Sequence, residues 1–440
     1  MSAETVLQRI AASHAGQESR LAGGAAWARR RELALARVMD RGLPDRRDEN
    51  WKYLDHAKIA ERAFEPAPRA TLAAERLAPW LLPLPTARRL VLVDGHYEPL
   101  LSAAKHGDGV VIDDLAMLLS TDPAGAMRML REPGDDADDR YALLADAFAA
   151  GGAIIRVDAN AAPADPLYLL HVSSGVAPAA SHARVVIEIG AGSRLRLVEH
   201  FVTLADAPAF SNLAAEMRIA DDATVEHLRL HQSGTQSAQL ETWVVEQQAD
   251  SSYSQHFFAL GGRLLRSNLN LTLVGSRAQC RLAGLFMVDG ERQADLYTRI
   301  AHHGVATRTS QNFRGIASER GRGAFNGRVV VHPAARGADA SQSSRNLLLT
   351  PLAEINSRPQ LEIHTDDVKC RHGATIGTLD PAQLFYLLAR GLDTATARSL
   401  LTFAFCEDVI AGVPLPELRR SIEELVVGRL PDRDVIRSFR

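Results

Sequence analysis

The sequence predicts a mainly β protein. A coiled parallel β-solenoid lies between an N-terminal helical region and a C-terminal helical domain. Three observations carry that expectation. Short segments with period-two alternation crowd the middle of the 440-residue chain, as half-buried strands should. Four of these segments fit one loose repeat. No long helical pattern separates them, which argues against a doubly wound parallel sheet. A β-sandwich is the second reading.

Residues 1–142 read as mainly helical with some short strands. Leu33–Met39 is a run of good helix formers, stopped by the breaker cluster Gly42-Leu43-Pro44-Asp45. Arg88–Val93 reads as a strand ended by Asp94-Gly95. The acidic stretch Glu132–Asp139 reads as a solvated loop near a boundary. Residues 143–378 form the β core, with strands at Ala153–Val157, Arg184–Ile189, Arg194–Val198, Glu216–Ile219 and Thr224–Leu230. The repeat begins at Ile187, Met217, Val245 and Leu271, so its starts are 30, 28 and 26 residues apart. Each unit is a strand, a tight corner of small residues and a strand. One such unit cannot bury its apolar face, whereas stacked copies can. Residues 379–440 are helical. Asp380 caps a first helix with Pro381 at its first position, and Gly391 ends it. Asp393 starts a second, which runs to Gly412. A third begins near Pro416 and places Leu418, Ile422, Leu425 and Val426 on one face.

Composition bounds the function. Apolar residues make up 46%, enough for a large core, and the net charge of −3 does not fit a basic nucleic-acid-binding face. Aromatics at 5% are too sparse for base-stacking platforms. Three cysteines cannot build a disulfide framework. The N-terminus lacks an uninterrupted apolar signal region, and no run is long enough to span a bilayer. A cytoplasmic protein is expected. The lysines are Lys52, Lys58, Lys105 and Lys369, and none follows a glycine. A phosphate-cradling Gly-Lys-Ser/Thr loop is therefore absent. Gly190-Ala191-Gly192 also fails the dinucleotide fingerprint, because Leu195 stands where its third glycine belongs.

Cys370-Arg371-His372 is the sharpest local cluster. Thiolate and imidazole suit iron–sulfur, zinc or copper, and neighbouring Lys369 would lower the thiol pKa. Two ligands do not close a site. The simpler reading is a buried Cys370 beside a hydrogen-bonded His372. In the alternative the pair are ligands completed by another chain. His227 and His231 have HxxxH spacing, but on a strand they lie about 13 Å apart. Cys280 and Cys406 read as core residues. His302 and His303 point to opposite faces of a strand; they, His332 and His364 read as surface or ladder histidines. Arg314, Arg320, Arg322 and Arg328 read as polar cover over β-turns, with an acidic-ligand groove as the alternative. No GxSxG elbow is present.

Several longer stretches carry a resemblance. Asp366-Asp367-Val368-Lys369-Cys370-Arg371-His372-Gly373-Ala374-Thr375-Ile376-Gly377 resembles the signature of the SufB/SufD family of iron–sulfur cluster assembly scaffolds, on its SufD side. Leu384–Gly391 is similar to the family's LFYLxxRG, Gly323–Pro333 to its GVFNGKVVVHP, Gln342–Leu349 to its QSNRNLLL, and Glu49–Tyr53 to its EEWKY. The resemblance covers roughly residues 45–430. It implies a right-handed parallel β-helix core and a C-terminal helical domain that docks the SufC ATPase. It implies a non-catalytic scaffold that pairs with SufB, commonly as one SufB, two SufC and one SufD. It implies no cofactor of its own, only a transient iron–sulfur cluster shared with SufB at their interface. His372 matches the family histidine at that site and Cys370 the motif cysteine. Two positions depart: Arg371 stands where serine is usual, and His302 where aspartate often precedes the histidine. The competing class is a cytosolic β-helix enzyme acting on carbohydrate or acyl donors.

Overall fold

The structure, a computed structural model, describes residues 3–16, 24–60, 62, 66–84, 88–103, 107–133, 140–149, 151–175, 180–205 and 207–431. Most of the acidic stretch expected as a loop, residues 134–139, lies outside the described residues.

Three helices open the chain: α1 (Ala3–Ala15), α2 (Ala25–Arg41) and α3 (His56–Ala60). The predicted helix over Leu33–Met39 is the second half of α2. Gly42, at φ 70°, ends it and donates its N–H to Val38 at 2.9 Å. Next come β1 (Arg89–Val93), β2 (His96–Tyr97), β3 (Val110–Asp114), α4 (Leu115–Thr121), α5 (Pro123–Met129) and α6 (Arg140–Phe148).

Strands then succeed one another: β4 (Gly151–Val157), β5 (Leu167–Ser173), β6 (Ala180–Ile189), β7 (Arg194–Thr203), β8 (Phe210–Ile219), β9 (Thr224–Gln232), β10 (Ala238–Gln247), β11 (Ser252–Ala259), β12 (Leu264–Leu273), β13 (Gln279–Val288), β14 (Gln293–His302), β15 (Arg308–Ala317), β16 (Arg322–Val331), β17 (Ala338–Leu348), β18 (Glu354–Ile363) and β19 (Val368–Gly377). The even-numbered members lie in one sheet and the odd-numbered in the other, and each strand from β6 to β17 pairs with the strands two before and two after it. Every pairing from β4 onward along the coil is parallel. This is the expected parallel β-solenoid, and a Greek-key sandwich is excluded. The two antiparallel pairs, β1 with β2 and β3 with β4, sit at its N-terminal end.

The repeat seen in the sequence is one turn of the coil. Its four starts are register partners: Ile187 pairs Met217, Met217 pairs Val245, and Val245 pairs Leu271. Each of the seven corners from β4–β5 to β16–β17 contains one residue near φ +60°: Asn160, Gly192, Asp222, Asp250, Arg277, Ala306 and Gly337. Its N–H donates to the next corner, from Asn160 to Ala191 and so on to Gly337 and Asp367, at 2.7–2.9 Å. Gly, Asn and Asp take this left-handed conformation readily, which explains the small polar corners; Arg277 and Ala306 adopt it at a cost of roughly 1–2 kcal/mol each.

Inward positions fill the lumen with a continuous apolar column, including Leu169, Ile187, Met217, Val245, Leu271 and Phe286. Unlike a one-sided sheet, the strands bury both faces over most of the coil. α1, α2 and α6 cover the first part of the even sheet, packing Ile10, Val38, Tyr141 and Phe148 on Phe210, Leu240 and Leu264. The odd sheet is covered by α8 (Thr394–Ile410) and α9 (Pro416–Val427), which follow α7 (Pro381–Ala389). Cys406, Val409, Ile410, Leu418, Ile422 and Val426 pack on Val198, Leu228, Leu230, Phe258 and Leu285, and the Arg314 guanidinium bonds Asp408. The expected caps are present: Asp380 accepts from the Ala382 N–H at 2.8 Å and Asp393 from Ala395 and Thr396 at 2.9 and 3.0 Å. Cys280 and Cys406 are core residues as expected. Among the described residues no helix is long and apolar enough to cross a membrane.

Burial makes the fold acid-sensitive. His200 and His302 are pushed down to about 4 by desolvation. An unfolded histidine titrates near 6.5, so between about pH 6.5 and 4 the unfolded chain binds protons that the folded chain does not. Stability should fall across that window on acidification and stay level, for these groups, above it. Melting temperatures measured from pH 7.5 to 4.5 check this, and His302→Gln should flatten the slope.

Candidate functional site at the open end of the solenoid

Each turn is covered by its successor until the last. β18 and β19 are the outer strands of their sheets and pair only with β16 and β17. Each therefore presents ten residues of unpaired backbone edge, which natural sheets normally cover or blunt. Burial falls away at the same place: β17 alternates between buried and partly exposed positions, whereas β19 is exposed along almost its whole length. Four residues after β19 starts α7, which buries none of its side chains. Phe385 is 72% exposed, Tyr386 56% and Leu388 37%, with Ile363 and Ile376 exposed on the two edge strands.

Cys370 and His372 stand at this end. They are in register with Ala340 and Gln342 of β17, and Cys370 packs with Val329, Val331 and Ala340. Alternation puts both on the lumen-facing side, so they share the mouth of the coil. The simpler expectation does not hold. Cys370 is only half-buried and His372 is exposed, because no further turn lies over them. Nor does Lys369 activate the thiol. It projects to the other face, and burial, with the nearby Asp339 charge, pushes the Cys370 thiol up against an opposing backbone bond from Ala340. Among the described residues no three His, Cys, Asp or Glu side chains gather as a metal site. Cys370 and His372 thus form an incomplete donor pair on an open surface.

The other candidates are placed elsewhere. His302 is buried between Thr307 and Thr309, at 2.7 and 3.0 Å. His303 points outward and stacks on His332, ring centroids 3.8 Å apart. In the next turn His364 bonds Glu362 at 3.0 Å. These are ladder histidines. The four arginines do not form one acidic-ligand groove: Arg320 and Arg322 line a pocket that also carries Asp55, Glu291 and Glu354, while Arg314 bonds Asp408 and Arg328 pairs with Glu362.

His227 and His231 belong to a buried network that the sequence did not reveal. Inside the lumen Arg229 donates to Glu199 at 2.7 Å and lies 2.7 Å from Glu241. His171 contacts Glu199 at 2.9 Å, and His227 and His231 lie 3.5 Å from Glu199 and Glu241. The guanidinium also stands over Trp243 and Phe257. Burial opposes ionisation of Glu199, yet Arg229 with His171 and His227 holds its carboxyl well below the usual range. On β9 the alternation His227-Leu228-Arg229-Leu230-His231 reads as polar side out. It is inverted here, because Leu228 and Leu230 lie under the C-terminal helices.

The family described as SUF system FeS cluster assembly, SufBD core domain, matches residues 171–405. The iron–sulfur cluster assembly protein SufD of Escherichia coli (strain K12) is 31% identical over 90% of this chain and 92% of its own length. An iron–sulfur cluster assembly SufBD family protein of Synechocystis is 27% identical over 88% and 87%, and SufD of Bacillus subtilis is 25% identical over 74% and 75%. The parallel solenoid is thus that of an iron–sulfur cluster assembly protein, and the chain belongs to the SufB/SufD family. Its role lies in iron–sulfur cluster assembly.

Two substitutions separate support from site. Arg229→Ala leaves two buried carboxylates facing each other and should cost about 3–5 kcal/mol. His372→Ala removes an exposed ring that no described residue hydrogen-bonds and should change stability by less than about 0.5 kcal/mol. Urea unfolding followed by circular dichroism measures both.

Proposed function

We propose that the chain is a non-catalytic scaffold subunit that closes its open end against SufB and presents His372, with Cys370 beside it, to an iron–sulfur cluster under assembly. The observation that carries this is the coincidence at one end of three features: two unpaired ten-residue strand edges, an apolar helix with no buried residue, and the incomplete Cys370–His372 pair. A second β-rich chain supplies what each lacks, namely backbone partners for the edges, cover for Phe385 and Tyr386, and further ligands. The cluster is cargo in this reading, and a neutral imidazole is a suitable ligand to iron.

The SufC ATPase would dock on the outer surface of α8 and α9. Their inner faces are fully used by the odd sheet, so removing both helices would uncover Leu228, Leu230, Phe258 and Leu285 and unfold the coil. Docking is better probed at the exposed Glu417, Arg420 and Glu424 of α9. Reversing these three charges should leave the fold intact and reduce SufC retention in pull-down; unchanged retention places docking elsewhere.

Pairing is tested by Phe385→Ser with Tyr386→Ser. This double variant should remain folded and lose co-elution with SufB on gel filtration. Cluster building is tested by His372→Ala in the assembled complex, which should elute normally but hold less iron and sulfide after anaerobic reconstitution. Cys370→Ala should lose less. Full loading of an intact His372→Ala complex would contradict the assignment.

A further inference from the structure

Buried polar side chains interrupt the apolar lumen along its length. The Glu199–Arg229–Glu241 network and the amides Gln239 and Gln255 lie in its earlier turns, and Gln311 and Gln342 lie near its open end. One inward column of the odd sheet reads His227, Gln255, Leu282, Gln311, Gln342 and His372, each in register with the next. Gln311 uses its side-chain oxygen to accept from the Thr298 hydroxyl across the lumen at 2.8 Å. Gln342 has no such partner. It is 3% exposed, and neither its amide nitrogen nor its amide oxygen is hydrogen-bonded. Buried polar groups in folded proteins are almost always satisfied, so an amide with both atoms idle calls for an explanation.

Room has been made for this amide. On the facing strand β16, a Cβ at Gly327 would overlap the Gln342 side-chain nitrogen. The glycine therefore admits the glutamine into the lumen, one turn below the mouth. The group immediately above it in the column is His372. Parallel in-register neighbours stand about 4.8 Å apart, the spacing at which stacked amide side chains bond along the column.

We propose that Gln342 is a positioning residue for His372: its side-chain oxygen accepts the N–H of the imidazole on the next turn. The bond selects one neutral tautomer and leaves the other ring nitrogen bare and directed out of the mouth. A histidine that binds metal needs this arrangement, one nitrogen held by an outer acceptor and the other free to ligate. The inference rests on the reading of His372 as a cluster ligand, but its geometry concerns the full chain alone.

The test uses the full chain labelled with 15N-histidine, the His372 ring signals being assigned by their loss in His372→Ala. In the unaltered chain the two ring nitrogens should show one dominant tautomer. In Gln342→Leu, similar in size but without an acceptor, the ratio should relax to that of a free imidazole, at unchanged melting temperature. Gln342→Glu restores an acceptor oxygen at the same reach and should restore the single tautomer. A merely structural glutamine would move the melting temperature and not the ratio. In the complex with SufB, Gln342→Leu should weaken cluster retention about tenfold, as loss of an outer-shell partner does. An unchanged tautomer ratio in folded Gln342→Leu overturns the proposal even where His372→Ala abolishes loading. Full loading in His372→Ala together with a shifted ratio in Gln342→Leu overturns the ligand reading and leaves the positioning intact.

Discussion

Parallel, in-register hydrogen bonding between successive turns is the constraint on which this molecule depends. It forces residues one turn apart into columns, so the strands, the corners and the lumen all inherit one period. The corner ladder shows how closely the backbone is held: seven left-handed residues donate in turn to the corner above. It also has an unavoidable consequence. A coil stacked this way has a last turn, and that turn has nothing to pair with. The N-terminal end is closed by antiparallel pairs from β1, β2 and β3. The C-terminal end has no such closure among the described residues, and there the chain places Cys370 and His372.

The lumen must also be filled, and its filling is uneven. Large apolar side chains pack most of it. The buried Glu199–Arg229–Glu241 network and its histidines interrupt the early turns, where breaking one partner is far more costly than the net worth of the pair. Toward the mouth the filling includes the amides Gln311 and Gln342, with space left by Gly327. Rigid packing behind the mouth and exposed donors at it are the combination expected of a site that offers ligands to something arriving from outside.

Much of the fold was legible because the solenoid period is written in the chain. Alternation and corner residues alone mark Ile187, Met217, Val245 and Leu271, and they form one column. The C-terminal helices were legible from their caps, Asp380 and Asp393. The candidate site was visible chiefly through its resemblance to a family. Cys370 is only half-buried and His372 exposed, because alternation tells which face a residue takes and not whether another turn covers it. The lumen network was missed for a related reason. His227, Arg229 and His231 alternate with leucines, and only the position of α8 and α9 decides that the leucines point out. Gln342 opens a stretch similar to the family's QSNRNLLL, but only its register with His372 points to what it does.

Hydrogen exchange in the open edges is the most direct measure of the account. Backbone amides of β18, β19 and α7 should exchange quickly in the free chain relative to β10–β15 and become protected when SufB is added, with little change in the early turns. Unchanged exchange in β18 and β19 on SufB binding, or protection confined to another part of the coil, would contradict the claim that the open end is the interface at which the cluster is built.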